Sequence, residues 1–128
     1  MRRLCMAVAV VLAISLVGGS AWAGAHIQVP QAVTQGNKLE VTVKDCVSGD
    51  GFTAIVRVEI YDDDTNELKD TKEVDADDDG TTKVKMKIRA SRYPPGRYYV
   101  VVTCIHEFDA GGEGVFFESD ESFRVRAA

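Results

Sequence analysis

An all-β fold, a two-sheet antiparallel sandwich of about seven strands, follows from three features of the sequence. Apolar and polar residues alternate with a period of two in one run after another. Clusters of turn-forming residues separate those runs at short intervals, and no stretch beyond the N-terminal leader keeps a helical period for three turns.

The alternation is clearest over residues 82–89, where Val84, Met86 and Ile88 interleave with Lys83, Lys85, Lys87 and Arg89. One face of such a strand must be buried and the other wet. Leu39, Val41 and Val43 repeat the pattern against Glu40, Thr42 and Lys44, and Val56, Val58 and Ile60 repeat it against Arg57 and Glu59. Residues 97–104 are apolar on both faces, which predicts a strand in the middle of its sheet. Weaker patterns at 26–33, 68–74 and 121–126 complete the seven, the last with Phe123 and Val125 inward. Between them lie Gln35-Gly36-Asn37, Ser48-Gly49-Asp50-Gly51, Asp77-Asp78-Asp79-Gly80, Pro94-Pro95-Gly96 and Gly111-Gly112, which read as turns. No internal repeat or low-complexity linker divides the chain, so a single domain is expected over residues 24–128.

The first 23 residues read as a secretory signal peptide. Arg2 and Arg3 precede an apolar run over residues 4–17, and small residues follow as far as Ala23. Cleavage after Ala25 satisfies the same rule. The apolar run is too short to span a bilayer, and Cys5 precedes it, where a lipid-anchored cysteine would follow it. A secreted or extracytoplasmic product is expected, with association at the cell surface open to it. Loss of Arg2 and Arg3 with the leader takes the formal charge from −5 to −7. So acidic a surface argues against nucleic acid or anionic lipid as partner and leaves a protein or a small ligand.

Removal of the leader leaves two cysteines, Cys46 and Cys104, which an oxidising compartment would pair. Closing a loop of nearly sixty residues contributes about 4 kcal/mol by chain entropy. The alternative, free thiols or thiolate metal ligands, lacks the C-x-x-C spacing that usually accompanies it. Cys46 is out of phase with Leu39, Val41 and Val43, so a bulge or turn near Asp45 is required to face it inward.

These residues carry a resemblance. Gly36 before Leu39-Glu40-Val41-Thr42-Val43, a cysteine just beyond, Asp75-Ala76-Asp77 leading to Gly80, and Pro95-Gly96-Arg97-Tyr98-Tyr99-Val100 ending at Thr103-Cys104 look like the immunoglobulin-like domains of secreted and cell-surface proteins from high-GC Gram-positive bacteria. The resemblance covers residues 27–104 and implies a fold and a setting, with no activity attached. The chain departs from the antibody pattern in two respects. Its one tryptophan, Trp22, lies in the leader, and its tyrosines precede Cys104 by more than two residues. In such a sandwich Cys46 and Cys104 would fall at one pole, together with the segments 47–53, 75–81 and 105–114.

That pole would be acidic, and Asp50, Glu107, Asp109 and Glu113 are the candidate ligand-facing residues. Asp75, Asp77 and Asp79 before Gly80 match the opening of a calcium loop, but Met86 stands where its bidentate glutamate belongs. A polar turn is the simpler reading. His26 would become a copper-chelating N-terminus after cleavage at Ala25, with His106 as a further ligand, against the plainer reading of two polar histidines. Catalysis finds no support: the chain has no G-x-S-x-G, no H-E-x-x-H and no glycine-rich phosphate loop. No cofactor is expected. The lysines of residues 83–87 would keep an exposed strand soluble and unpaired, or meet an anionic polymer such as a cell-wall glycan. Among Tyr61, Tyr93, Tyr98 and Tyr99, the sequence marks Tyr93, beside Pro94, as the exposed ring. The expected function is recognition or a structural role without catalysis; the alternative is an extracytoplasmic metal carrier.

Overall fold

A computed structural model describes residues 26–128, so the leader and Cys5 lie outside the described residues. Eight strands form: β1 (Ile27–Gln28), β2 (Ala32–Thr34), β3 (Lys38–Lys44), β4 (Phe52–Asp62), β5 (Leu68–Asp75), β6 (Thr81–Lys87), β7 (Gly96–Phe108) and β8 (Glu113–Arg126). They make a three-stranded sheet, β1-β3-β6, and a five-stranded sheet, β2-β8-β7-β4-β5. The expected seven become eight because Pro30 interrupts the first strand. Proline offers no N–H to a ladder, and the chain changes sheets there: β1 pairs antiparallel with β3, and β2 pairs with β8. The β2–β8 pairing is parallel, so the two sheets are mostly rather than wholly antiparallel.

Alternation decides which side chains face the core. Leu39, Val41 and Val43 from β3, Val84 and Met86 from β6, Val56, Val58 and Ile60 from β4, and Val100 and Val102 from β7 form one buried cluster between the sheets. β7, apolar on both faces, is the middle strand of the larger sheet as its composition requires. β5 pairs with β4, so segment 75–81 carries the chain from one sheet to the other and is not a hairpin between neighbours.

The disulfide joins Cys46 to Cys104 with Cα atoms 5.7 Å apart, and so ties the end of β3 to β7 across the core. The phase problem is solved at Asp45, whose φ of 68° ends β3 and turns Cys46 inward until it is 1% exposed. The Asp45 N–H donates to the Gly80 carbonyl at 2.9 Å, which holds the turn against the start of β6.

At the opposite end of the sandwich Tyr93 is fully buried, contrary to the sequence expectation. The β6–β7 connection makes a turn in which the Arg89 carbonyl accepts from the N–H groups of Arg92 and Tyr93, and the turn folds the ring beneath itself. Tyr93 packs edge-on against Tyr98 at 5.3 Å, and its hydroxyl donates to Asp70 Oδ2 at 2.5 Å. Gln35 Nε2 donates to the Tyr93 carbonyl at 2.8 Å. The Tyr98 hydroxyl donates to the Pro94 carbonyl at 2.6 Å, which anchors the start of β7. Burial first, and the Asp70 hydrogen bond second, raise the Tyr93 phenol well above its ordinary range.

Two predictions follow from these two ends of the molecule. Replacing Cys46 and Cys104 together by alanine should lower the unfolding free energy by about 2–4 kcal/mol, read from urea titration. Tyr93→Phe should cost about 1.5–3 kcal/mol near neutral pH, because the deleted bond runs to a carboxylate. A phenol whose folded pKa is raised stabilises the fold fully below the unfolded value of about 10 and loses that contribution as pH climbs through the folded value. Tyr93→Phe should therefore also show a shallower loss of stability above about pH 10 than the parent.

Candidate functional site

The three segments expected to share the disulfide pole are hydrogen-bonded to one another or to the strands between them. Ala76 N–H donates to the Ala54 carbonyl at 3.1 Å, and Asp109 N–H donates to the Gly51 carbonyl at 2.9 Å. Ser48 has a local task, since its Oγ accepts from the Ala54 N–H at 2.8 Å. Gly49 lies directly over the Phe52 ring, where an added Cβ would stand 2.7 Å from a ring carbon. A larger residue there would have to push the ring aside.

The segment 105–114 is mostly strand. β7 continues to Phe108 against β4, β8 begins at Glu113, and only 109–112 remain as the turn, with Gly111 at φ 109° and Gly112 at φ 85°. Aromatic and β-branched residues at the strand ends favour this extension. Past the disulfide, the smaller sheet has ended at Lys44 and Thr81, while the larger one runs on. The inward-facing series of β4 and β7 therefore continues through the pairs Ala54–His106 and Phe52–Phe108 with no opposing sheet. A bulge in β8 adds to this: Cys104 faces Phe117 and Ile105 faces Val115, so Phe116 is the extra residue.

A chain of aromatic rings fills the overhang. His26 stacks on Phe117 at 4.0 Å, Phe117 touches Phe116 at 5.8 Å, and His106 stacks on Phe116 at 4.8 Å and on Phe52 at 4.1 Å. Phe108 meets Phe52 edge-on at 6.4 Å. Much of this apolar surface is open, with Phe116 57% and Phe108 44% exposed, and Val115, opposite Ile105 on the other face of the hairpin, is 66% exposed. Acidic residues lie close by: Asp50 is in the β3–β4 turn, Asp109 is in the β7–β8 turn, and Glu107 and Glu113, paired across the hairpin, alternate with His106 and Phe108 and project from its other face.

Both histidines lie at this pole, within one ring cluster. His106 Nε2 is buried without a hydrogen-bond partner. His26 Nδ1 lies 3.5 Å from Asp45 Oδ2, inside ion-pair distance but without hydrogen-bond alignment. Phenyl rings cover faces of both imidazoles, and the rings of Phe116 and Phe117 link one histidine to the other. In the calcium-like segment, Asp79 Oδ1 accepts from the Thr81 N–H at 2.9 Å, and the Asp77 N–H donates to Thr82 Oγ1 at 2.8 Å. Asp75 closes β5 opposite Ile55. Among the described residues, no three His, Cys, Asp or Glu side chains are grouped to hold a metal ion.

The sequence reading expected acidic residues at this pole and did not include the rings of Phe52, Phe108, Phe116 and Phe117 or the exposed Val115. One signal was available. Val115-Phe116-Phe117 puts three apolar residues in a row where strict alternation allows one, in keeping with a bulged strand that uses both faces. No protein-family model matches the chain, and no curated protein matches it.

Proposed function

We propose that this chain is a secreted, non-enzymatic, immunoglobulin-like recognition domain that binds a protein partner at its disulfide pole, at or outside the cell surface. The carrying observation is the open aromatic surface of Phe108 and Phe116, with Asp50 and Asp109 in the adjoining turns and Val115, Glu107 and Glu113 on the other face of the same hairpin. Exposed aromatic groups with charged residues nearby are the usual anatomy of a protein-binding patch. The sign of those charges selects the occupant: a partner with an apolar centre flanked by lysine and arginine.

The immunoglobulin-like assignment draws support from two features. The chain changes sheets within its first strand, and the cross-link joins β3 of one sheet to β7 of the other. The Tyr98–Pro94 bond resembles the tyrosine corner of such domains, although Tyr98 stands six residues before Cys104, not two. A disulfide suits an oxidising, extracytoplasmic setting. Recognition is favoured over metal carriage because, among the described residues, no three His, Cys, Asp or Glu side chains are grouped to hold a metal ion.

The test is photo-crosslinking from position 115 in the purified, oxidised protein mixed with surface material of the producing cell, followed by affinity measurement on the captured partner. Phe108→Ser with Phe116→Ser should weaken binding at least tenfold, as expected for aromatic anchors, and leave the melting temperature nearly unchanged. Glu107→Lys with Glu113→Lys should slow association. Equal capture by parent and aromatic variant would remove the reading, as would a dimer in sedimentation that dissolves with Phe108→Ser and Phe116→Ser.

A further inference from the structure

A second surface, unrelated to the disulfide pole, lies where the two sheets part along one side of the sandwich. β5 is an edge of the larger sheet and β6 an edge of the smaller one, and a cleft of about 530 Å³ opens between them. Its walls carry Lys38, Lys72, Lys85, Lys87, Arg89 and Arg92 against a single carboxylate, Asp70. Asp70 is already engaged by the Tyr93 hydroxyl at 2.5 Å and lies 4.0 Å from Arg92 Nε. Among the described residues, Lys38, Lys85, Lys87 and Arg89 have no ion-pair partner.

Edge protection explains part of this cluster. Lys85 and Lys87 alternate along the exposed face of β6. Lys72, opposite Val58, is turned toward the inner side of β5, and its Nζ donates to the Lys85 carbonyl at 3.1 Å. It does not explain Arg89 and Arg92, which belong to the β6–β7 connection. Lys38 stands opposite Lys87, beyond the stretch of β3 that β1 covers. Like charges directly opposite one another destabilise a sheet modestly, at Lys38–Lys87 as at Arg97–Arg124, and what sets the cleft apart is the convergence of six cations on one carboxylate.

We propose that this cleft binds a linear polymer bearing phosphate groups and no bases, such as inorganic polyphosphate or a phosphodiester-linked polyol. Lysines two residues apart on a strand recur about every 6.6–6.8 Å, which offers successive charges to an extended chain. Four of the six cations are lysines, compact point charges suited to phosphate oxygens in varied orientations. No aromatic side chain lines the cleft, so single-stranded nucleic acid would find no platform on which to stack its bases.

Binding of fluorescently labelled inorganic polyphosphate to the purified, oxidised protein, followed by anisotropy across a salt series, tests this. Affinity should fall log-linearly with salt, by about 0.7 log units per log unit of salt for each phosphate contacted. Lys85→Glu with Lys87→Glu should weaken binding at least tenfold. Arg124→Glu with Arg126→Glu, exposed on β8 and identical in charge change, should weaken it less than threefold. Lys38→Gln with Lys87→Gln gives a milder second variant, with a several-fold loss expected, and melting curves check that each variant is folded. A glycerol-phosphate polymer in parallel distinguishes the two phosphate sources, and binding of either supports the site. Absence of binding to both at low salt overturns the proposal. Equal loss in the Lys85/Lys87 and Arg124/Arg126 pairs does so too, as does tighter binding of single-stranded DNA or of a sulfated glycan.

Discussion

The cross-link between Cys46 and Cys104 is the constraint on which the rest of the molecule is arranged, because it fixes where the two sheets stop sharing a core. It can close only if β3 ends at Asp45 in a left-handed turn, and that turn is held by the Gly80 carbonyl at the start of β6. Both strands of the smaller sheet therefore terminate at one level. β4, β7 and β8 are under no such limit. They run past the cross-link, and side chains that would otherwise face an opposing sheet pack on one another as a ring cluster that is open to solvent at Phe108 and Phe116.

The inequality of the sheets has a second effect along the side of the sandwich. Three strands cannot cover five, and β5 lies beyond the reach of its counterpart. Val74 still packs against the core, but the next inward positions carry Asp70 and Lys72 where a covered strand would carry valine or isoleucine. Asp70 is kept acceptable there by Tyr93, whose ring closes that end of the core while its hydroxyl neutralises the need of the carboxylate for water. The aromatic pole and the basic cleft thus have one origin in the geometry of unequal layers.

Much of the fold was legible because burial in a sheet imposes a period of two, and the strands from Leu39, Val56 and Val84 state that period plainly. The pairing of Cys46 and the need for a turn at Asp45 were legible too, one from cysteine count and the other from phase. Sheet membership was less so. Nothing local in residues 68–75 says that they pair with β4 and not beside β6. Tyr93 was misread because a ring next to proline in a turn looks exposed until the turn is seen to fold over the core. At the pole, glycines and carboxylates outweighed Val115, Phe116 and Phe117, although the pairing of residues 105–108 with β4 needs only ordinary strand formers. Propensity summed over a short window could not register a partner fifty residues away.

An acidic chain with a basic cleft raises a question that distance answers. β6 begins beside Asp79 at the disulfide pole and runs away from it toward Lys85 and Lys87. At about 3.3 Å per residue, Lys85 lies roughly 20 Å along the strand from Asp79, more than twice the Debye length of about 8 Å at physiological salt. The acidic pole is therefore screened from the cleft. The nearer carboxylates are Asp70, already bonded to Tyr93, and Glu40, opposite Lys85 on β3. Net charge sums over both surfaces and describes neither. A partner guided by the aromatic pole and an anionic chain held in the cleft would approach different faces of one small domain, and neither would need to displace the other.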